Sequence, residues 1–133
     1  MPGKTNLSEL LKTMRPKLND GEYVFCTIAP TQTIDQKYII GSFKEAEGLT
    51  VILEKKVADE LNLNYSYVSS WITLTVHSSL EAAGLTAAFS NALAKEGISC
   101  NVVAAYYHDH IFVDKKDADK AIKALKKLAA YNN

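Results

Sequence analysis

Histidine and cysteine side chains are the residues in this sequence that could bind a metal or act as nucleophiles. His108 and His110 are two positions apart, so on a β-strand they would share a face, and His77 ends an earlier strand-like run. Three histidines could bind zinc, but no third ligand at a fixed spacing supports such a site. Cys26 and Cys100 lie within apolar, strand-like segments, where inert buried thiols are common. We therefore expect a non-catalytic protein without a cofactor, and a metal- or thiol-dependent enzyme is the weakest alternative.

The stretch VHSSLEAAGLTAAF, which begins at Val76, is better suited to binding a small molecule. A strand-like run ends at His77 and a helical pattern starts near Thr86. A helix N-terminus has unpaired N–H groups and a partial positive charge, so it can hold a carboxylate without a basic side chain. Gly84 would allow a ligand to approach the backbone closely, and serine hydroxyls could add hydrogen bonds. Alternatively, Ser78 and Glu81 form only a capping box, and Gly84 is a turn glycine.

An amino-acid ligand would also need acceptors for its ammonium group. Glu45, Glu47, Glu81 and Asp109 are candidates, although most such carboxylates are simply solvated. Asn101 could fix a polar ligand group, or it could satisfy backbone at a strand edge. The predicted ligand-binding residues are Ser78, Ser79, Leu80, Ala83, Gly84, Leu85, Asn101, Glu45 and Glu47.

Hydrophobic periodicity predicts the elements that would position these residues. In the first half we expect a helix that starts at the capping box Asn6–Glu9 and ends at Pro16, strands over Glu22–Ile28 and Leu49–Leu53, a short strand at Lys37–Ile40 and a short helix around Val57. In the second half we expect a strand around Ile72–Val76, a helix from Leu85 that ends at Gly97, strands Ile98–Ala105 and Asp109–Val113, and a helix capped by Asp114. The order of the second half is β-α-β-β-α.

The two halves resemble each other. Glu54–Glu60 is similar to Asp114–Lys120, 60 residues later, and both segments follow an apolar strand. Cys26 could likewise match Cys100. A repeat is the better interpretation because the elements also follow in matching order. We therefore predict an α+β fold of two intertwined ferredoxin-like halves, residues 1–68 and 69–133, with antiparallel sheets and helices on one face of each.

The second half resembles the ACT domain, a small ligand-sensing module of amino-acid metabolism. The resemblance rests on a strand followed by Gly84-Leu85, the helix residues Phe89 and Leu93, and the passage Gly97–Asn101. The first half, with Glu22–Phe25 and Glu45–Thr50, looks like the domain paired with it in small stand-alone bacterial proteins. The paired halves are also similar to the tandem ACT units of the animal cytosolic arginine sensor. The resemblance implies binding of an amino acid or similar effector, no catalysis, and homo-oligomers that pair through helices or sheet edges.

Composition limits the remaining function classes. Lysine plus arginine and aspartate plus glutamate both total 15 in 133 residues, so the net charge is zero, which argues against nucleic-acid or anionic-membrane partners. The first twenty residues carry several charges and no apolar signal core, so we expect a cytoplasmic protein. The leading function is a regulatory module that binds a small molecule. The main alternative is a protein interaction module without a ligand pocket.

Overall fold

The computed structural model describes residues 2–75 and 84–130, with side chains from Leu7 onward. The chain forms two compact units: the terminal unit, Met1–Asn19 with Trp71–Asn133, and the central unit, Asp20–Ser70. The helices within the described residues are α1 (Pro2–Thr13), α2 (Lys55–Glu60), α3 (Leu85–Lys95) and α4 (Ala118–Ala130). The strands there are β1 (Arg15–Leu18), β2 (Tyr23–Ile28), β3 (Gly41–Lys44), β4 (Leu49–Glu54), β5 (Ser69–Thr75), β6 (Cys100–Ala104) and β7 (Asp109–Asp114).

In the terminal unit, helices cover one face of a sheet with the order β1-β5-β7-β6. β1 is antiparallel to β5, with Pro16 opposite Leu74, and β6 is antiparallel to β7, with Val102 opposite Ile111. Apolar side chains of β5 and β7 pack with those of α1, α3 and α4 in one core. Its fully buried members include Met14, Ile72, Leu74, Phe89, Leu93, Ile111, Val113 and Leu125.

The central unit has a smaller core on an antiparallel sheet with the order β3-β4-β2. β2 and β4 pair along their whole length, with Val24 opposite Leu53 and Cys26 opposite Val51. These four side chains, together with Ile28 and Ala58 of α2, form the buried cluster. The alternation of β2 and β4 places Phe25, Thr27 and Thr50 on the other face of the sheet.

The fold class predicted from the sequence is confirmed. The β-α-β-β-α order of the second half is present as β5, α3, β6, β7 and α4. Leu85, Phe89 and Leu93 are buried along α3, and Gly97 follows this helix with a φ of +74°. Asp114 also acts as a cap, because its side chain accepts a hydrogen bond from the backbone N of Lys116 at 3.1 Å. It caps a 3₁₀ turn, Lys115–Asp117, that leads into α4.

Several predictions for the first half are wrong. Helix α1 begins at Pro2, so Asn6–Glu9 lies inside the helix instead of starting it. Lys37–Ile40 is not a strand, because the Asp35 side chain accepts a hydrogen bond from Lys37 N and caps a 3₁₀ helix, Gln36–Tyr38. The strand comes directly afterwards, at β3. β1 was not predicted, since a proline in a four-residue polar segment reads as a stop signal.

The compact units are assembled differently from consecutive halves. β1 pairs with β5, and Leu11 of α1 and Met14, which directly follows α1, belong to the core of the terminal unit. Residues near the N-terminus therefore pack with the C-terminal elements. The division into ACT-like halves at residues 1–68 and 69–133 stays a prediction about the sequence. No helix within residues 2–75 or 84–130 is both long enough and apolar enough to span a bilayer.

Candidate functional site

The start of α3 is the described part of the predicted ligand site. Gly84 precedes the helix with φ +90° and ψ −8°, a left-handed conformation that side-chain-bearing residues rarely adopt. Its carbonyl accepts the first helical hydrogen bond, from Ala88 N at 2.8 Å. Leu85, the first helical residue, is buried in the core and fixes the position of the turn. Ser78, Ser79, Leu80, Glu81 and Ala83 lie outside the described residues.

Among the described residues, the hydrogen-bonding groups at this helix end are those of the backbone. As a glycine, Gly84 provides no side-chain acceptor for the N–H groups of the first turn. Those groups and the positive end of the helix dipole favour a small anion such as a carboxylate. A Cβ at Gly84 would come within 3.4 Å of Leu7 Cδ2, so an apolar side chain of α1 flanks the position. The site therefore combines backbone donors with an apolar neighbour.

Asn101 occupies a different surface of the same unit. It is exposed on β6 opposite Phe112, whereas the preceding Cys100 packs with the core beneath α3. Because successive side chains of a strand point to opposite faces, Asn101 lies on the face that the helices leave uncovered. The structure therefore does not place the Asn101 side chain on the same side of the sheet as Gly84.

Glu45 and Glu47 lie in the turn between β3 and β4 of the central unit, and both are exposed. The backbone of the turn is closed by hydrogen bonds between Glu45 and Gly48 in both directions, at 3.0 and 3.3 Å. The Thr50 hydroxyl donates to the Glu45 carboxylate. A Cβ on Gly48 would lie 2.9 Å from Thr27 Oγ1, so the turn requires glycine there. Glu45 is thus part of a well-organised turn, and a role in ligand binding stays a prediction.

A polar network on the face of the terminal sheet opposite the helices was not predicted. Trp71 Nε1 donates to His110 Nδ1 at 3.0 Å, and Thr73 Oγ1 lies 3.1 Å from the same nitrogen. Asn19 Nδ2 in turn donates to Thr73 Oγ1 at 3.0 Å. Trp71 also stacks on Phe112, with ring centroids 6.0 Å apart. The alternation around Ile72 and Leu74 indicated which side chains of this strand point away from the core. It did not indicate which other strand would bring a partner side chain next to them.

The network sets the protonation state of His110. An indole N–H can only donate, so Nδ1 of His110 must accept, and the neutral ring carries its proton on Nε2. Burial lowers the pKa of His110 below its usual 6.5, and the positive charge that His108 can carry lowers it further, while Asp109 acts in the opposite direction. The two histidine rings meet edge to face, with centroids 6.3 Å apart. His110 is therefore predominantly neutral at pH 7.

The zinc and thiol alternatives gain no geometric support from these residues. His77 lies outside the described residues, and no group of three or more histidine, cysteine or acidic side chains that could hold a metal occurs within residues 2–75 and 84–130. Burial raises the pKa of both Cys26 and Cys100, and a hydrogen bond with Ser90 only partly offsets this for Cys100. A raised pKa disfavours the thiolate that nucleophilic catalysis requires.

Comparison with known proteins identifies the family. Two ACT-domain family profiles match the chain, one over residues 2–70 and one over residues 66–127. The chain belongs to the ACT-domain family. ACT domains are regulatory modules, and the tandem resemblance expected from the sequence is confirmed. Gly84, Leu85 and Asn101 lie in the second ACT match, whereas Glu45 and Glu47 lie in the first.

Solved structures agree with an ACT fold. A protein of unknown function from Vibrio cholerae, VC0802, described as a possible transport protein, is 49% identical; the match covers 96% of this chain and 98% of that one, with a TM-score of 0.84. Protein Atu0741 from Agrobacterium tumefaciens is 16% identical over 87% and 89% of the two chains, with a TM-score of 0.66. The regulatory subunit of aspartate kinase from Thermus thermophilus is 10% identical over 85% and 95%, with a TM-score of 0.59. No curated protein matches the sequence.

Proposed function

We propose that this ACT protein is a non-catalytic regulatory module whose effector is an amino acid, bound through its carboxylate at the N-terminus of α3. The observation that carries the proposal is the left-handed Gly84, which precedes the 11-residue helix α3 and, as a glycine, has no side chain that could cap it. A carboxylate there would accept hydrogen bonds from the first-turn N–H groups and interact with the helix dipole, and neither contribution needs a basic side chain.

The rest of the molecule supports regulation in preference to catalysis. The two thiols have pKa values raised by burial, and the ring nitrogen of His110 that faces Trp71 is already hydrogen-bonded. Both cysteines are free, which fits the reducing cytoplasm that we expect for this protein. Free amino acids are the effectors that we expect this module to sense, because their carboxylate suits the N-terminus of α3.

A thermal-shift screen of the whole chain against the free amino acids tests the proposal. A ligand that binds only the folded state stabilises it by about 2.7 kcal/mol at one hundred times its Kd, so a genuine effector should raise the Tm clearly. The affinity of the best ligand would then be measured by calorimetric titration. If no amino acid shifts the Tm, the amino-acid proposal is wrong and the alternative of an interaction module without a ligand pocket is favoured.

Two glycine variants locate the site. Gly84→Val places a branched side chain at the proposed carboxylate position, whereas Gly97→Val carries comparable backbone strain at φ +74° beyond the other end of α3, where a Cβ would meet nothing within 4 Å. We expect Gly84→Val to lose the ligand response and Gly97→Val to keep it. Equal affinity of the two folded variants for the ligand would show that the ligand does not bind at the start of α3.

We also propose that the protein self-associates through the β6 edge. Among the described residues β6 pairs only with β7, and Val103 is 38% exposed there. The turn that follows exposes Tyr106 and Tyr107 by more than 80%. An unpaired apolar edge invites pairing with a second strand. Sedimentation of the wild type beside Val103→Lys tests this; a monomeric wild type, or an unchanged oligomer in the variant, would contradict it.

A further inference from the structure

A continuous groove runs between β1 and α4 of the terminal unit. It consists of two adjoining cavities of about 380 and 410 Å³, which share Pro16 and Lys126 in their walls. Lys12 and Arg15 flank the first cavity, near the end of α1, and Leu18 and Lys123 flank the second. We call this feature the β1–α4 groove. It shares no lining residue with the described part of the effector site.

The rim of the groove is positively charged. Lys12, Arg15, Lys123 and Lys126 line it, and Asp119 at one end is the single acidic residue among its described lining. None of the three lysines forms an ion pair with any side chain in the described part of the chain. Because the whole chain has zero net charge, this positive surplus is local. Such a surface attracts an anionic partner and repels a cationic one.

Arg15 is held in place on this rim. Its Nη1 donates to the carbonyl oxygens of Lys12 and Met14, at 2.8 and 2.9 Å, and so caps the C-terminal end of α1. The guanidinium group has further N–H donors that these bonds do not use. A planar, fixed guanidinium suits a carboxylate better than a mobile ammonium group does.

The floor of the groove is apolar. Leu18 is 41% exposed and Ile122 is half-buried, so hydrocarbon surface lies between the charged side chains. Pro16 lies in a strand that, among the described residues, pairs only with β5. Proline has no backbone N–H and therefore offers no hydrogen-bond donor along the free edge of β1. This edge is a poor template for an added strand. An occupant would therefore bind through side chains.

We propose that the β1–α4 groove docks a short acidic segment of a partner protein in which carboxylates alternate with apolar side chains. The lining residues of α4 span Asp119 to Ala130, which at 1.5 Å per residue is about 17 Å, the length of roughly five extended residues. Carboxylates reach Lys12, Arg15, Lys123 and Lys126, and apolar side chains cover Leu18 and Ile122. The docking does not depend on the amino-acid effector, so either proposal can fail alone.

Fluorescence anisotropy with a labelled octapeptide of alternating glutamate and leucine tests the groove on the full chain. Lys123→Glu/Lys126→Glu reverses two rim charges, and Lys120→Glu/Lys127→Glu makes the same charge change at exposed positions of the same helix outside the groove lining. We expect the rim variant to bind at least tenfold more weakly than wild type and the control variant to stay within twofold. Affinity should also fall as salt increases.

Three further probes separate the other possible occupants. A peptide of alternating glutamate and serine should bind at least fivefold more weakly, because it cannot cover the apolar floor, and one of alternating lysine and leucine should not bind. Equal loss of binding in both double variants, or equal binding of the serine peptide, would overturn the proposal. Tighter binding of a single-stranded oligonucleotide through the same lysines would replace it with a nucleic-acid site. The Tm of each variant verifies that it is folded.

Discussion

Two strand–helix pairs, β4–α2 and β7–α4, share a sequence pattern but have different surroundings. Both strands bury three consecutive residues, Val51–Leu53 and Ile111–Val113, and their flanking residues are half-buried. α2 stops after six residues, where Asn62 adopts a φ of +57°, whereas α4 continues for 13 residues over four buried positions. A similar local sequence therefore produces the same strand, and the apolar residues that follow set the length of the helix.

The strands that pair with β4 and β7, namely β2 and β6, differ from each other more than β4 and β7 do. β2 alternates Val24, Cys26 and Ile28 into the core of the central unit, whereas β6 is an edge strand that is largely exposed. Val24 lies opposite Leu53, and Cys100 lies opposite Val113, the counterpart of Leu53. Cys100 therefore corresponds to Val24, and the expected match with Cys26 is two residues out of register. A shift of two residues keeps the same face toward the core, so the hydrophobic pattern does not reveal it.

The largest expected effect tests the difference between the inner and the edge strand. Val24→Ala removes two methyl groups from a fully buried side chain and should lower the free energy of unfolding by about 2 kcal/mol. Val103→Ala on β6 is the matched control, and in the monomer it should change the free energy by less than about 0.5 kcal/mol. Urea unfolding at a protein concentration low enough to keep the chain monomeric measures both. Equal losses in the monomer would contradict the difference between the two strands, whereas a loss for Val103→Ala that appears only at high protein concentration would fit the proposed pairing of β6 with a second copy.

An intermediate effect concerns one equivalent position on β4 and β7. The Thr50 hydroxyl donates a hydrogen bond to the Glu45 carboxylate. His110, the counterpart of Thr50 60 residues later, accepts a hydrogen bond from the Trp71 indole. Because folding lowers the pKa of His110, the unfolded state binds a proton more readily. The contribution of His110 to stability is therefore fully present above about pH 6.5 and is lost as the pH falls through the lower pKa of the folded state.

Urea unfolding between pH 7.5 and pH 5 measures this dependence, with Trp71 fluorescence as the probe. Substituting the counterpart residue, His110→Thr, should flatten the curve in this range. A matched variant, His108→Thr, removes the neighbouring ring and should leave part of the dependence, because burial is the larger cause of the shift. An unchanged slope in His110→Thr would assign the titration to another group.

The smallest expected effect concerns the two cysteines. Cys26 is 4% exposed and Cys100 is half-buried, and burial raises the pKa of both thiols. We expect iodoacetamide to modify Cys100 before Cys26 in the folded protein, and both more slowly than in the unfolded chain. Ser90→Ala should slow the reaction of Cys100 slightly, since the hydrogen bond with Ser90 lowers its pKa. Faster modification of Cys26 would show that β2 is less protected than β6.

The sequence determined the elements whose signals are local. The alternation of Ile72 and Leu74, the helical spacing of Leu85, Phe89 and Leu93, and the position of Gly97 all predicted features that are present, because burial on one face of an element leaves a periodic pattern. Gly84 was predicted either to let a ligand approach the backbone or to be a turn glycine; its left-handed φ is typical of a turn glycine, and the binding role stays a prediction.

Only the tertiary structure decided which distant segments meet. The pairing of β1 with β5, the network that joins Asn19, Trp71, Thr73 and His110, and the groove between β1 and α4 all join residues that are far apart along the chain. No local pattern encodes such contacts, because hydrogen bonds and the burial of apolar surface depend on proximity in space and not on spacing along the chain. Periodicity determined which face of each element is buried, and packing between elements determined which exposed residues became neighbours.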